Sequence, residues 1–347
     1  MRRIVTGGRA RWAVGGAMAV VLLIACGDDG DDASTSPPAP TTIFVLAGLS
    51  DQGDDNIVVT EFLPEAASIV AGSAVEWRFA GQERHSVTFF PAGQSPPVPG
   101  TLEAQALSGP STPPPTEHVA SAVVNSGLLP ADPATPQSSF RLTFPNAGEF
   151  GYVCVIHPNM TGRITVVDPI GAVVDTQADI NTRADRELNE WLEEGRAAKK
   201  KLTDAVPKQV KNEETGATTW TYETGASTEH TDVVAFAPGE GEVRPGDSVT
   251  FVNNSLSRHT ATFVGPDQVP RNPTEPAVAT PSGPQPVAIL PGGPPANSGI
   301  LAAASPPSAP PPEPARSFTF VLPEPGDFQF ACAFHARSRM RGSVKVA

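Results

Sequence analysis

The sequence predicts an all-β protein made of two similar domains, and three observations support this prediction. The chain has 347 residues, which is enough for about two domains. It contains 31 glycines and 39 prolines, a composition that disfavours long helices and favours short strands separated by loops. In addition, segments of the first half recur in the second half.

The recurring segments indicate a duplicated domain rather than a short solenoid repeat. The first pair matches at a constant offset of 174 residues, and the later pairs shift by only a few residues, so insertions and deletions lie in loops. Three pairs of segments match: Phe62–His85 with Phe236–His259, Asn125–Leu129 with Asn297–Leu301, and Gly148–Cys154 with Gly326–Cys332.

Each copy has the apolar alternation that is typical of half-buried strands. Val75, Trp77 and Phe79 alternate with polar residues, as do Phe318 and Phe320 in the second copy. Several short strands with turn signals indicate a sandwich or a barrel. The proline-rich stretches 91–124 and 265–296 interrupt this pattern, and we expect them to form long exposed loops.

The segment between the two copies has a helical pattern from Asp175 to Leu202. Its apolar residues, such as Leu188, Trp191 and Leu192, recur at helical spacing among charged residues. We expect this apolar stripe to pack on a domain face and fix the angle between the domains. Binding of a partner protein by the stripe is an alternative.

The N-terminus has the features of an export signal. Residues 1–25 begin with several arginines and continue with an apolar stretch that is too short for a comfortable transmembrane helix. The stretch ends at Cys26 and resembles the bacterial lipobox, in which this cysteine is lipidated. An ordinary secretory signal with a coincidental cysteine is the alternative. Residues 26–41 are acidic and then proline-rich, which predicts a flexible tether.

These patterns divide the chain into five segments. We predict a signal peptide over 1–25, a tether over 26–41, domain 1 over 42–168, a helical linker over 169–215 and domain 2 over 216–347. The lipid would hold the protein at the outer side of the cytoplasmic membrane, or in the periplasm or outer membrane, of a bacterium.

The scarce residue types form two similar sets. Cys154 is followed by His157 and Met160, and His85 lies upstream in the same copy. Two imidazoles and a thiolate in a plane, with a weak axial thioether, form a blue-copper electron-transfer site. The first set therefore predicts one copper site on a rigid β scaffold.

The second copy carries the same residue types. Cys332 is followed by His335 and Met340, and His259 lies upstream. Three alternatives remain for these residues: a disulfide between the two copies, zinc in place of copper, or a second copy that no longer binds metal.

Both motifs resemble those of the cupredoxin superfamily, to which plastocyanin, amicyanin and azurin belong. The loop that starts at Cys154 has amicyanin-like spacing, and the loop that starts at Cys332 has plastocyanin-like spacing. The resemblance implies two tandem cupredoxin-like Greek-key β-sandwiches, joined by the helical linker. It assigns the metal ligands as His85, Cys154, His157 and Met160 in site 1, and His259, Cys332, His335 and Met340 in site 2.

The resemblance also implies roles for neighbouring positions. Many family members have Asn after the first histidine and use its backbone to support the cysteine sulfur, whereas this chain has Ser86 and Thr260. The loop histidines, His157 and His335, are expected to face solvent and carry the electron.

Composition and motif content exclude several other functions. The net charge of −13 disfavours binding to nucleic acid. Multicopper oxidases of this superfamily need His-x-His pairs, which the sequence lacks, and copper nitrite reductases place a histidine beside the blue-copper cysteine, which neither motif has. The remaining histidines, His118 and His230, are interpreted as surface residues, so an enzyme is not expected.

The sequence therefore predicts an exported carrier that passes single electrons between redox protein partners. Arg337, Arg339 and Arg341 lie near site 2 and could dock an acidic partner, since opposite charges accelerate encounter. A solvated loop without a partner is the alternative for these arginines. A copper-handling lipoprotein and a structural two-domain module are the alternatives for the whole protein.

Overall fold

The computed structural model describes residues 38–81, 83–99, 101–129, 139–170, 172–264, 286–301, 316–335 and 339–347. All of them lie in one compact unit, Pro37–Ala347. The predicted signal peptide, Cys26, most of the predicted tether and Arg337 lie outside the described residues. No helix of the described part is long and apolar enough to cross a membrane.

The first repeat consists of short strands and a five-residue helix. In chain order these are β1 (Thr42–Ser50), β2 (Ile57–Leu63), β3 (Ala66–Val70), β4 (Ala74–Arg78), β5 (Thr88–Phe89), α1 (Leu102–Ala106), β6 (Val124–Asn125), β7 (Ser139–Thr143), β8 (Gly148–Val153) and β9 (Thr161–Val167).

A long helix and a further set of strands follow. These are α2 (Gln177–Asp204), β10 (Gln209–Lys211), β11 (Thr218–Ser227), β12 (Thr231–Ala237), β13 (Glu240–Val243), β14 (Asp247–Val252), β15 (Thr262–Val264), β16 (Val287–Ala288), β17 (Ala296–Asn297), β18 (Ser317–Leu322), β19 (Gly326–Ala331) and β20 (Arg341–Val346).

The strands form a long sheet shared by both repeats and a smaller sheet in each repeat. The long sheet has the order β16-β18-β14-β11-β12-β2-β1-β4-β7, with β10 paired to β11. The smaller sheets have the orders β3-β9-β8-β5-β6 and β13-β20-β19-β15-β17. In the first repeat the two layers pack together, since Trp77 of the long sheet shares one core with Phe89 and Tyr152 of the smaller sheet. The predicted all-β class is confirmed.

The junction between the repeats is an antiparallel pairing of β2 with β12. Val58 pairs with Asp232, its own equivalent at the 174-residue offset, and Val59 pairs with Thr231. The backbone continues this symmetry, since Thr60 N–H donates to His230 O (2.9 Å). The two repeats are therefore related by a local twofold axis that passes through this pair of strands.

Helix α2 covers the outer face of the long sheet at this junction. It begins with a capping box between Thr176 and Asp179, which satisfies backbone groups of the first turn. Trp191 packs on Val59 and Leu63 of the first repeat, and Leu202 packs on strand β12 of the second. The apolar stripe is thus used inside the protein, as predicted, and contacts both repeats.

Close approach of α2 to the sheet requires a glycine. A Cβ atom at Gly195 would lie 2.5 Å from Thr231 Cγ2 and 2.6 Å from Ile57 Cγ2. Strands β2 and β12 are buried along their whole lengths because α2 covers one face and the cores cover the other. Their nearly continuous apolar sequences follow from this double burial.

Each repeat has its own hydrophobic core, around Trp77 in the first and Phe251 in the second. The long sheet and α2 nevertheless belong to one compact unit. The residue boundaries predicted for the two domains and the linker stay predictions. Strand β10, at the end of the predicted linker, pairs with the second repeat.

The expectation of an exposed loop over 91–124 is only partly correct. The described part contains α1, and it returns to the sheet where His118 N–H donates to Thr143 O (2.9 Å). The surface interpretation of His118 is wrong, since the residue is 8% exposed and its ring lies 4.3 Å from the Phe150 ring and stacks on the Phe144 ring at 5.3 Å. Residues 265–285 of the second predicted loop lie outside the described residues.

His230 is half-buried rather than fully exposed. Its ring stacks on Trp191 at 4.8 Å, and its Nδ1 lies 3.2 Å from Glu194 Oε2. This histidine therefore supports the contact between α2 and the second repeat.

Candidate metal centres

The structure brings together the three predicted nitrogen and sulfur ligands of site 1. His85 precedes β5 and forms an isolated bridge with Leu129, while Cys154 and His157 follow β8. His85 Nδ1 and His157 Nδ1 are 3.1 Å apart, and Cys154 Sγ lies 3.5 Å from His157 Nδ1. All three side chains are buried.

Site 2 has the same construction. His259 bridges Leu301 ahead of β15, and Cys332 and His335 follow β19. Cys332 Sγ lies 3.3 Å from His335 Nδ1 and 3.8 Å from His259 Nδ1. In each site the three candidate ligand atoms lie within 4.8 Å of one another.

These distances fit one metal ion per site. Nitrogen and sulfur ligands bind such ions at about 2.0–2.3 Å, so donors in a trigonal plane are separated by about 3.5 Å. Cys154 and Cys332 are both free, which excludes the disulfide alternative in this structure. The donor set of two imidazoles and one thiolate suits copper.

The two methionines lie at the ends of the ligand loops. Met160 and Met340 are fully buried, and their carbonyls accept the backbone N–H of Cys154 and Cys332, both at 3.0 Å. The preceding residues, Asn159 and Arg339, have left-handed backbones (φ 69° and 57°). This turn brings each methionine backbone to its cysteine and places the thioether in the core around the site.

The residue after the first histidine supports the cysteine, as the resemblance predicted. The backbone N–H groups of Ser86 and Thr260 donate to the sulfurs of Cys154 and Cys332, each at 3.4 Å. The Ser86 hydroxyl also accepts Val155 N–H at 3.0 Å. The Ser86 hydroxyl thus connects the segment that carries His85 to the ligand loop. In site 2 the Thr260 hydroxyl makes the equivalent contact, because it accepts the backbone N–H of Ala333 at 2.8 Å.

The repeated Asn-Ser-Gly motif holds the strand next to each first histidine. Ser126 Oγ accepts the N–H of Val87 (2.8 Å), and Ser298 Oγ accepts that of Ala261 (2.9 Å). Each contact lies two residues after the first histidine of its site. The motif therefore anchors the segment that directly follows His85 and His259.

A glycine of the long sheet lies directly against each first histidine. A Cβ atom at Gly48 would lie 2.0 Å from His85 Nε2, and one at Gly225 would lie 2.6 Å from His259 Nε2. Both glycines have positive φ angles, +69° and +86°. Only glycine gives the imidazole room to lie against the strand at these positions.

The outward ring nitrogens have different surroundings in the two sites. His259 Nε2 lies 2.9 Å from Ser255 Oγ, whereas His85 Nε2 is buried without a hydrogen-bond partner among the described residues. His335 Nε2 lies 3.5 Å from Glu83 Oε2, which belongs to the first repeat.

The expectation of solvent-facing loop histidines is wrong. His157 is 7% exposed and His335 is 5% exposed. The reason for His335 is its position at the boundary between the repeats, where Glu83 covers the outward edge of its ring.

Three of the four histidines are held neutral by their surroundings. Burial, followed by repulsion from His157, lowers the pKa of His85 well below its ordinary value. Burial, followed by repulsion from His335, lowers the pKa of His157 to about 3 and that of His259 well below its ordinary value. Neutral imidazoles keep the lone pair that a metal needs.

His335 and Cys332 each favour the charged form of the other in the metal-free site. Burial lowers the pKa of His335, but attraction to Glu83 and to Cys332 outweighs it and raises the pKa to about 9. Burial raises the pKa of Cys332, but the charge of His335 outweighs it, so the thiol pKa falls. In site 1, burial raises the pKa of Cys154 against the opposing Ser86 N–H.

The predicted arginine cluster is only partly described. Arg339 Nε lies 3.3 Å from Asp55 Oδ2 of the first repeat, and Arg341 is exposed at the start of β20. Arg339 therefore already has an acidic partner within the chain, although its side chain stays 80% exposed.

Four residues around the sites were missed by the sequence reasoning. Gly48 and Gly225 occupy equivalent positions of β1 and β11, so a comparison of the repeats upstream of Phe62 would have found them. Ser255 and Glu83 have no counterpart of the same type in the other repeat. No sequence signal marks them, because their role depends on which loops meet in three dimensions.

No protein-family model matches the sequence, and no curated protein matches it. Solved structures similar to the chain include a Cu(I) form of an amicyanin mutant, with 18% identity over 36% of this chain and 82% of its own (TM-score 0.23). Oxidised plastocyanin from Dryopteris crassirhizoma has 24% identity over 36% of this chain and 99% of its own (TM-score 0.22). Auracyanin B has 19% identity over 37% and 88% (TM-score 0.26).

These three solved structures have at most 24% identity to this chain. Each covers little more than a third of the chain.

Proposed function

We propose that this protein is a copper-binding electron carrier with one type 1 (blue) copper site in each repeat. The observation that carries the proposal is the presence of two separate, buried sets of two imidazoles and one cysteine sulfur, each with a methionine closing the same loop. Bound copper would supply one-electron exchange between Cu(I) and Cu(II).

The residues around each site provide what such exchange needs. Burial of the ligands excludes water, and anchoring of both segments by Ser86 or Thr260 limits rearrangement of the donors. The backbone N–H groups that donate to the two sulfurs stabilise thiolate charge. A rigid donor set that suits both oxidation states is suited to fast electron transfer.

An electron carrier fits the sequence better than an enzyme. The whole chain has only six histidines and no His-x-His pair, and no histidine is adjacent to Cys154 or Cys332. The extra copper centres of the superfamily's oxidases and nitrite reductases therefore lack their ligands within one chain.

Export and lipid anchoring are part of the proposal and rest on residues 1–26. The Cys26→Ser variant is expected to leave the bacterial membrane fraction, because it removes the residue that would carry the lipid chain. Cell fractionation followed by mass spectrometry of the N-terminal peptide measures this. An unmodified Cys26 in a processed protein would contradict the anchor.

Docking of an acidic redox partner near site 2 is also proposed. It is supported by the exposure of Arg339 and Arg341 in an otherwise acidic protein. Replacing Arg337, Arg339 and Arg341 by Ala is expected to slow electron transfer and to weaken its dependence on salt. A transfer rate that is unchanged and independent of salt would contradict the docking surface.

Titration of the purified protein with Cu(II), followed by visible absorption, tests the central proposal. We expect an intense thiolate-to-copper charge-transfer band that grows to two equivalents, and reversible one-electron reduction without loss of metal. The Cys154→Ala and Cys332→Ala variants should each reach one equivalent. Absence of the band would exclude the redox function, and free exchange of copper with a chelator would instead favour copper handling.

A further inference from the structure

The second metal site receives a side chain from the first repeat. Glu83 lies two residues before His85, and its Oε2 is 3.5 Å from Nε2 of His335. The side chains are 12% and 6% exposed, respectively, so this contact is largely shielded from water. Ion pairs shielded in this way are screened less than those at the surface.

The geometry assigns different partners to the two nitrogens of His335. Nδ1 lies 3.3 Å from Cys332 Sγ, on the ligand side of the ring. Nε2 is therefore the outer nitrogen, and it faces the Glu83 carboxylate. Metal-binding histidines commonly donate this second N–H to a carboxylate, which fixes the tautomer and the ring orientation.

The twofold symmetry of the repeats does not reproduce this contact at site 1. The equivalent of Glu83 at the 174-residue offset is Ser257. Its hydroxyl donates to Asp232 within its own repeat. The chain thus has a carboxylate at this position in one repeat only, and that carboxylate serves the other repeat's site.

Accepting the function proposed above, we propose that Glu83 is a positioning residue of site 2 supplied by the first repeat. Its carboxylate accepts the Nε2–H of His335 and holds the tautomer in which Nδ1 is free for the metal. The ligand loop and first histidine of each site belong to a single repeat. Site 2 additionally needs Glu83 from the other repeat, so it is complete only when the two repeats are assembled.

Substitution of Glu83 in the full chain tests this assignment. In a Cys154→Ala background, where only site 2 takes copper, we expect Glu83→Ala to lower Cu(II) affinity about 10–100-fold. We expect Glu83→Gln to have a smaller effect, because the amide oxygen still accepts a hydrogen bond without the charge. Both variants should raise the reduction potential of site 2, since a nearby negative charge stabilises Cu(II) over Cu(I).

Three controls separate positioning from general damage. Glu76→Gln also removes one negative charge from the first repeat, at a strand residue that forms an ion pair with Arg78. This variant should change neither the Cu(II) affinity nor the reduction potential of site 2. Asp55→Asn removes the solvent-exposed ion pair with Arg339, another contact between the repeats, and should shift the potential less than Glu83→Gln does. In a Cys332→Ala background, Glu83→Gln should leave site 1 unchanged.

Equal affinity and potential in the Glu83 and Glu76 variants would overturn the assignment. The metal-free protein gives a second readout that does not depend on copper. Above about pH 9, where the His335 ring is neutral, nitrogen NMR should show its proton on Nε2 in the parent, and a mixture of tautomers in Glu83→Ala. An unchanged tautomer would overturn the assignment, whereas absence of the charge-transfer band in the parent protein would overturn only the proposed function.

Discussion

The two metal centres share their ligands but differ in what surrounds them. Both have the same residue types at equivalent positions, the same sulfur contact from the residue after the first histidine, and a glycine against that histidine. Site 2 adds Ser255 on His259 and Glu83 on His335. In site 1, the outward nitrogen of His85 has no hydrogen-bond partner among the described residues.

This difference shows that duplication preserved the donor set while the outer contacts diverged. Groups that hydrogen-bond to ligands set their orientation and basicity, and nearby charge sets which oxidation state is favoured. Glu83 and Asp232 both act on His335. With copper bound as proposed, these two carboxylates would favour Cu(II) over Cu(I) at site 2.

The largest expected effect comes from filling the space at the first histidine. Gly48→Ala should remove copper binding at site 1, since the new Cβ would lie 2.0 Å from His85 Nε2 and the backbone is left-handed. Copper titration should then reach one equivalent. Gly225→Ala is the matched change at site 2, where the distance is 2.6 Å. Two full equivalents in both variants would contradict this account of the glycines.

A buried carboxyl gives the repeats different responses to pH. Glu61 of β2 is 1% exposed with Oε2 unpaired among the described residues, and burial, followed by repulsion from Glu65, raises its pKa to about 9. The equivalent residue of the second repeat at the 174-residue offset is Ala235. Only the first repeat therefore carries this titration.

Between about pH 4.5 and 9 the unfolded chain releases a proton that folded Glu61 retains. The free energy of unfolding should therefore fall as pH rises, by at most about 1.4 kcal/mol per pH unit from this group. Glu61→Gln should remove this contribution, as measured by denaturant unfolding of the metal-free protein across this range. An identical pH profile in the variant would show that Glu61 ionises normally in the folded state.

The smallest of the three effects is expected at Ser255. Ser255→Ala removes the hydroxyl at His259 Nε2 and makes this part of site 2 resemble site 1. We expect Cu(II) affinity of site 2 to fall about tenfold, measured by competition with a chelator in a Cys154→Ala background. Ser86→Ala in the same background is the control, since Ser86 supports only site 1. A larger loss in the control would contradict the proposed role of Ser255.

The all-β class and the grouping of two histidines with one cysteine in each repeat could be predicted, because both leave recognisable patterns in the sequence. Strand alternation is visible over a few residues, and scarce residues such as Cys154 and Met160 have one evident use in this chain. Glu83 could not be predicted, since its role requires the pairing of β2 with β12 to bring the repeats together. His118 was misjudged because a polar residue in a proline-rich insertion gives no sign that the insertion folds back onto aromatic residues.

The pairing of β2 with β12 has a consequence for a chain that contains a single repeat. Because equivalent residues, Val58 and Asp232, lie opposite one another, this is an isologous contact contained within one polypeptide. One repeat alone would expose the same strand edge to water, and open edges of this kind recruit other chains. Two separate copies would then associate as a cyclic dimer, whereas the covalent connection makes their association independent of protein concentration.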